Sequence, residues 1–343
     1  MYAKTRWNSI DAIKGISCIA VVFIHVLFPE PLKMTVKSIS RFAVPVFFMT
    51  SGFFFMQEGT CRIPRTVKKI EHIARILAGS AGFYLLFCII YNKLQDPLWN
   101  MRDFFYKRCT AGRMVRFFVT NDPFVYSHLW FLLALLYIYV FCIFCFGDGK
   151  RLSLSLPLGA TCLFGYISLQ EFGNVIGLKS SFIIPESEQR IYLFNLFVFR
   201  GLSFFLIGMT LRQYIDLIQS KKIPRLLYFF IFVFGCFLAP FEYKWTQDTQ
   251  YFVGNILASL ALMFFALQYP CCEIKGLIHI GRDLSMYVYI LHIAVYYSVN
   301  LIISKFGISK VPMILWTRPG AVLILSLCVA EGIFNLKKRL HME

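Results

Sequence analysis

The sequence predicts an all-α integral-membrane protein, a polytopic bundle of about ten transmembrane helices with both termini in the cytoplasm. Of its 343 residues, 58% are hydrophobic and 15% are charged, and the mean hydropathy is +0.64. Soluble domains carry about 25% charged residues, so a chain this apolar is poorly suited to a water-facing surface. Apolar runs of about 20 residues, the length of a helix that crosses a bilayer, recur from end to end. This composition excludes a soluble enzyme, a disordered chain and a secreted disulfide scaffold.

Ten apolar runs bounded by charge, proline or glycine are the candidate spans. Each is expected to be helical, because the bilayer core offers backbone groups no other hydrogen-bond partner. The first is expected to be a retained span and not a signal peptide, because Asp11 and Lys14 interrupt its start. We interpret residues 1–343 as one integral-membrane domain. The ten runs are 10–28, 42–57, 73–91, 128–146, 152–169, 191–212, 224–241, 251–268, 284–304 and 311–334.

The distribution of basic residues predicts the orientation. The net charge of +17 is better explained by membrane topology and an anionic partner at the membrane face than by nucleic acid. Basic residues concentrate in the segments predicted to lie inside, which are 62–69, 150–151, 212–225, 275–282 and 337–339. The exception is the long loop 92–127, which is predicted to be extracytoplasmic although it is basic. We interpret it as an amphipathic surface segment or a site for an anionic glycan or lipid. Its basic residues are Lys93, Arg102, Lys107, Arg108, Arg113 and Arg116.

The first span carries the most informative polar residues. A charged side chain facing lipid is costly, so ionisable groups in spans are expected to face the protein interior or a wet cavity. Lys14 and His25 are eleven residues apart, which on a helix places them on one face and roughly 16 Å apart along the axis. Neutral imidazole can accept a proton from a hydroxyl, which makes His25 the candidate base. Asp11 and Lys14 are equally well explained as an ion pair at the membrane edge.

Other spans contribute further candidate residues. Arg41 and His128 each open a span from the outside, so we expect them at the same outer level as His25. Arg200 and His292 are mid-span, and Arg318 lies a few residues into the last span. Headgroup anchoring and hydrogen bonds between helices are the structural alternatives for all of them. A metal site is not expected, because no helix carries an H-x-x-x-H or carboxylate spacing suited to ligands.

The chain resembles the acyltransferase-3 family of integral-membrane O-acyltransferases over nearly its whole length. The family signature in the first helix is a basic residue, ten others and a histidine, here Lys14 and His25. Many members have Arg at the first of these positions, and Lys14 keeps the charge but loses the bidentate fork. The similarity continues through Arg41-Phe-Ala-Val-Pro45-Val-Phe-Phe, Ser51-Gly52, His128-Leu-Trp130, Arg200-Gly, Gly208, and Gly281-Arg-Asp-Leu-Ser285 up to His292.

The resemblance implies transfer of an acyl group, acetyl in most members, from cytoplasmic acyl-CoA to a hydroxyl of a carbohydrate or lipid-linked glycan. The chemistry of the residues fits this reaction, and the expected catalytic residues are His25, Arg41 and His128. His25 is the expected base, and Arg41 or His128 is expected to stabilise the oxyanion or to position the sugar. Direct transfer is favoured, and an acyl-histidine intermediate stays open. Donor binding is assigned to Lys14, Asp11, Arg200, His292 and Arg318. Basic groups at the inner face (Arg6, Lys14, Arg62, Arg65, Lys68 and Lys69) are expected to attract the donor phosphates.

Two other classes of function stay open at this stage. A polar interior, with prolines near span ends, also suits a transporter of a small polar or anionic solute. A membrane subunit that only binds a partner through the loop 92–127 is the third reading. The expected location is the cytoplasmic membrane of a bacterium, where the activity would be O-acetylation of a polysaccharide. The expected partners are acyl-CoA, the saccharide acceptor and the lipid bilayer, with no metal.

Overall fold

A computed structural model of the chain describes residues 7–56, 63–120, 123, 126–147, 151–169, 181–184, 189–192, 196–221, 223–246 and 251–340. Most of these residues are helical, which confirms the predicted class of helical membrane protein. Arg6 and Arg62, expected to attract the donor, lie outside the described residues.

The first part of the chain, up to residue 213, alternates long and short helices. A 3-10 turn, Ser127–Leu129, leads into α7, and a π-helical turn, Val198–Leu202, leads into α9. The helices are α1 (Asn8–His25), α2 (Leu32–Ser40), α3 (Ala43–Phe55), α4 (Ile63–Gln95), α5 (Met101–Arg108), α6 (Ala111–Thr120), α7 (Trp130–Phe146), α8 (Ser155–Ile167) and α9 (Ser203–Gln213).

The remainder of the chain is also helical. A second π-helical turn, Ile280–Leu284, joins α13 to α14, and Pro240 and Pro319 lie inside α11 and α15. The helices are α10 (Ile215–Ser220), α11 (Arg225–Thr246), α12 (Val253–Gln268), α13 (Lys275–His279), α14 (Ser285–Lys305) and α15 (Pro312–Leu340).

The segment before α9 differs from the prediction. Strands β1 (Ser181–Ile184) and β2 (Gln189–Tyr192) form an antiparallel hairpin in which Ser181 lies opposite Tyr192. The predicted span 191–212 therefore begins too early, because residues 191–192 belong to β2 and the helical part starts only at Val198. Isoleucine and aromatic residues in both strands favour the extended conformation and explain why this apolar stretch is not all helix.

Seven described helical segments are long and apolar enough to cross a membrane. They are Asn8–His25, Leu32–Phe55, Ile63–Gln95, Ser127–Phe146, Arg225–Trp245, Lys275–Lys305 and Pro312–Leu340. Leu152–Ile167 and Val253–Gln268 are apolar but shorter. Exposed phenylalanine and leucine side chains along α11 and α15 are what lipid-facing surfaces require. The predicted class, a bundle of membrane-spanning helices, is thus confirmed. The count of ten spans and the cytoplasmic location of both termini stay predictions.

Residue contacts divide the chain into two compact units. The first unit comprises residues 1–50 and 214–343, and the second comprises residues 51–213. In the first unit a buried apolar stripe on α1, with Cys18 and Val22 four residues apart, packs against a matching stripe that includes Leu284 and Val288. Four-residue spacing places these side chains on one helix face, so the two stripes align along their helices.

The second unit is held by polar as well as apolar contacts. Tyr84 of α4 is fully buried where α4 packs on α7. The hydroxyls of Ser155 and Thr210 lie 3.0 Å apart and link α8 to α9, and the Gln213 amide donates to Ser155 at 2.9 Å. Tyr137 of α7 donates to the carbonyl of Phe117 at 3.0 Å, which fixes α6 along α7. The loop 92–127 is therefore in part helical and attached to the bundle.

Candidate functional site

The two packed stripes of the first unit end in a pair of histidines. Lys14, Cys18, Val22 and His25 follow one another at helical spacing along α1, and α1 ends at His25. On α14, His292 continues the stripe of Leu284 and Val288 by four more residues and is fully buried. The imidazole rings of His25 and His292 consequently meet, with centroids 5.2 Å apart and planes inclined by 46°.

The backbone of α14 selects the tautomer of His292. Its Nδ1 lies 2.9 Å from the carbonyl oxygen of Val288, an atom that can only accept a hydrogen bond. Nδ1 therefore carries the proton, and in the neutral ring Nε2 carries a lone pair. The His292 ring that lies against His25 therefore has its proton on Nδ1 and, in the neutral form, an unprotonated Nε2.

The polar start of the α1 stripe is an ion pair. Lys14 Nζ lies 3.6 Å from Asp11 Oδ1, and the two side chains are 22% and 17% exposed. This is the i,i+3 pairing expected as the structural alternative, and the low exposure keeps the charges near the protein interior. The pairing leaves the Lys14 ammonium two further protons to donate. A role in donor binding for Lys14 and Asp11 stays a prediction.

The first unit contains a second histidine network, which the sequence did not predict. The Nδ1 of His279 lies 2.8 Å from Asp283 Oδ2, and its Nε2 lies 2.7 Å from Glu331 Oε2 of α15. The Asn335 amide donates to the other Glu331 oxygen, Oε1, and the Arg282 guanidinium donates to both oxygens of Asp283. The four-residue spacing of His279 and Asp283 was visible in the sequence, but the contact with Glu331 joins residues 52 positions apart and was not.

Arg41 and Arg318 lie elsewhere in the first unit. The Arg41 guanidinium is buried, 5.5 Å from the ring centroid of Phe252. The Asn255 amide positions this region, because it donates to the Ser38 carbonyl at 2.9 Å. Arg318 donates to the side chain of Asn300 at 3.3 Å, and its guanidinium lies 5.6 Å from the Tyr296 ring. Each arginine thus has an aromatic partner, a favourable arrangement for a cation out of water.

The remaining predicted residues belong to the second unit. His128 is buried beside the rings of Tyr84 and Tyr126, with centroid distances of 4.8 and 6.1 Å. The Arg200 guanidinium lies 3.9 Å from the ring centroid of Trp130, two residues along the chain from His128. In the sequence Trp130 is only one residue of the His128-Leu-Trp130 motif, and the structure shows its ring as the surface on which the Arg200 guanidinium stacks.

The start of α4 forms a basic cavity, also within the second unit. The cavity has a volume of about 390 Å³ and is lined by Arg65, Lys68, Lys69, His72, Ile73 and Tyr139. The Lys69 ammonium lies 5.0 Å from the Phe55 ring centroid and donates to the Phe54 carbonyl at 3.4 Å. Three cations around one cavity favour a ligand with several negative charges.

The structure therefore brings together His25 with His292 and Lys14 with Asp11 in the first unit. Arg41 and Arg318 have separate aromatic partners there, and His128 and Arg200 are described within the second unit. The shared outer level of His25, Arg41 and His128 stays a prediction, as do all the assigned roles. Within the described ranges, histidine, cysteine and carboxylate residues form no group of three that would hold a metal ion.

Comparison with known proteins gives one family match. The model of the family described as "Acyltransferase domain" (Acyl_transf_3) matches residues 7–330, almost the entire chain. An amino-acid racemase of Enterococcus faecalis is 25% identical over 358 positions, which take in 99% of this chain and 48% of that protein. The chain thus spans about half the length of this curated relative. No solved structure matches the chain.

Proposed function

This chain belongs to the acyltransferase-3 family, and from that premise we propose that it transfers an acyl group, acetyl in the first instance, from acyl-CoA to a hydroxyl of a saccharide or lipid-linked glycan. The family membership supports membrane acyl transfer in general, and the donor, the acceptor and a location in the bacterial cytoplasmic membrane are proposed with it. The observation that carries the proposal is the contact of His25 with His292 at the end of α1, 5.2 Å between ring centroids.

The proposed reaction moves one proton and one acyl group. His25 accepts the proton of the acceptor hydroxyl while the hydroxyl oxygen attacks the thioester carbonyl carbon. The carbon–sulfur bond breaks, and the sulfur of CoA leaves and takes up the proton. The unprotonated Nε2 of His292 supports the imidazolium that forms on His25 in between. Arg41 and His128 are proposed to stabilise the oxyanion or to position the sugar.

The proposed donor site uses the basic cavity at the start of α4. Arg65, Lys68 and Lys69 supply the positive charge that the phosphates of CoA need, and they lie at the end of α4 predicted to be cytoplasmic. Donor binding is also proposed for Lys14, Asp11, His292 and Arg318 of the first unit and for Arg200 of the second.

The test is acyl transfer by the purified full chain in nanodiscs, comparing wild type with His25→Ala. Removal of a general base lowers kcat by on the order of 10²-fold to 10⁴-fold. Radiolabelled acetyl-CoA is supplied with a bacterial glycan fraction, and both CoA release and labelled glycan are measured. Elution volume and thermal unfolding show whether the His25→Ala protein is folded.

A matched control removes a buried polar group outside the proposed site. Ser326 is fully buried on α15, and its hydroxyl donates to its own helix at the Val322 carbonyl, 2.7 Å away. Ser326→Ala should therefore keep wild-type turnover. Equal turnover by wild type and folded His25→Ala would contradict the role of His25. Solute uptake by proteoliposomes that contain no acyl donor would instead favour the transporter alternative.

A further inference from the structure

A second cavity of the second unit lies at the opposite end of α4 from the basic cavity. It has a volume of about 460 Å³, within the usual range of small-molecule sites. Its lining includes Asp96, Trp99, Asn100, Asp103, Phe104 and Arg113. We propose that this cavity, the Trp99 cavity, binds a saccharide unit of the acceptor; its role as an acceptor site rests on the proposed function.

One wall of the Trp99 cavity is aromatic. Trp99 is half-buried, and its ring centroid lies 5.6 Å from that of Phe104 at an interplanar angle of 59°. The contact with Phe104 fixes the indole ring and leaves part of it facing the cavity. The faces of aromatic rings carry negative charge density, which attracts the polarised C–H groups on the apolar face of a pyranose. A flat, half-buried indole that lines the cavity is therefore well suited to stack on a sugar ring.

The other walls offer both hydrogen-bond donors and acceptors. Asp96 Oδ1 accepts from the Leu98 amide at 2.9 Å, and Asn100 Oδ1 accepts from the Arg102 amide at 2.8 Å. These bonds orient the two side chains, so that the second Asp96 oxygen and the Asn100 amide nitrogen are positioned as acceptor and donor. Asp103 adds acceptors and Arg113 adds donors. Each sugar hydroxyl donates one hydrogen bond and accepts others, so a mixed lining of this kind is complementary to it.

The charge of the Trp99 cavity argues against the donor as its occupant. The lining contains two carboxylates, Asp96 and Asp103, and one guanidinium, Arg113. Its net charge is therefore negative, and it would repel the phosphates of CoA. The basic cavity near Arg65 has the opposite character. A neutral saccharide in one cavity and the anionic donor in the other is the assignment that matches both charges.

The length of α4 separates the two cavities by a membrane thickness. A helix of 33 residues, Ile63–Gln95, is about 50 Å long at 1.5 Å per residue. The hydrocarbon core of a bilayer is about 30 Å thick, so the two ends of α4 can reach opposite surfaces. The basic cavity lies at the first end and the Trp99 cavity just beyond the second. The second unit thus presents sites of opposite charge to the two sides of the membrane.

The experiment measures saccharide binding to the full chain in nanodiscs by isothermal titration calorimetry, with maltotetraose and chitotetraose as probes. Trp99→Ala should weaken the binding by about tenfold or more, because it removes the stacking surface. Asp96→Asn/Asp103→Asn should weaken it too, since neutral amides are weaker acceptors. The control is Trp245→Ala on α11, which removes a tryptophan that is 90% exposed and belongs to the other unit. The control should bind as the wild type does.

Three results would overturn the assignment. The first is that neither probe binds at millimolar concentration. The second is that Trp99→Ala and Trp245→Ala bind equally well, and the third is that CoA displaces the saccharide from the Trp99 cavity. If Trp99→Ala does not fold, the aspartate double variant decides alone, because it preserves side-chain shape. Saccharide binding that depends on Trp99 in a chain that consumes no acyl-CoA would refute the proposed function and leave the cavity assignment standing. Acyl transfer with an acceptor KM unaffected by Trp99→Ala would refute only the cavity assignment.

Discussion

At the scale of single residues, the chemistry depends on where His292 carries its proton. The Val288 carbonyl holds the proton on Nδ1, which leaves Nε2 as the nitrogen proposed to support His25, whose ring centroid lies 5.2 Å from that of His292. His292→Asn should keep an amide donor near the position of Nδ1 and lose Nε2. We expect kcat to fall about 10-fold to 100-fold, the range typical of groups that orient a functional histidine. Steady-state kinetics in nanodiscs measure both kcat and the KM for acyl-CoA, and a change confined to KM would assign His292 to donor binding and not to proton transfer.

His292→Gln separates this role from simple packing. A glutamine places its terminal amide near the position of Nε2, so it should recover part of the kcat that His292→Asn loses. If His292 only fills space, kcat should be equal in the two folded variants or lower in His292→Gln than in His292→Asn. Unchanged kcat in both would show that His292 takes no part in proton transfer.

At the scale of elements, the site depends on how closely α1 and the segment before α14 approach. A Cβ added to Gly281 would overlap the Asp11 carbonyl oxygen and lie 2.6 Å from the Gly15 nitrogen. Only a residue without a side chain lets these backbones touch. Gly281→Ala should therefore force the helices apart, at a cost of about 1–3 kcal/mol typical of overpacking. Thermal unfolding in detergent should show a lower midpoint. Acyl transfer should also fall, because the stripe on α1 that ends at His25 is displaced.

The same segment contains a matched control. Gly276 lies five residues earlier, in α13, and a Cβ added there would meet no atom within 4 Å. Gly276→Ala should keep the unfolding midpoint, or raise it slightly because alanine favours the helix. A Gly281→Ala protein as stable as Gly276→Ala would contradict the close packing of α1 on this segment.

At the scale of the whole molecule, hydropathy and helical spacing predicted the membrane class and the stripe on α1. They did so because bilayer thickness and helix geometry act on local sequence. The pairing of His25 with His292 joins residues 267 positions apart, and nothing in the local pattern determines it. Two π-helical turns, at Arg200 and at Gly281–Asp283, add a further difficulty. A π-turn inserts a residue into the helix and changes which side chains share a face, so spacing arguments fail across it.

The orientation of the molecule leads to a prediction that its own cysteines can test. Cys109 between α5 and α6, and Cys271 between α12 and α13, are both exposed. The distribution of basic residues puts the loop 92–127 outside and the segment around Cys271 inside. A membrane-impermeant maleimide applied to intact cells should therefore modify Cys109, and Cys271 only after lysis, as read by peptide mass mapping. Cys109→Ser and Cys271→Ser identify the two signals. Labelling of Cys271 in intact cells would mean that the topology is the inverse of the predicted one. The Trp99 cavity, with any saccharide it binds, would then lie on the cytoplasmic side.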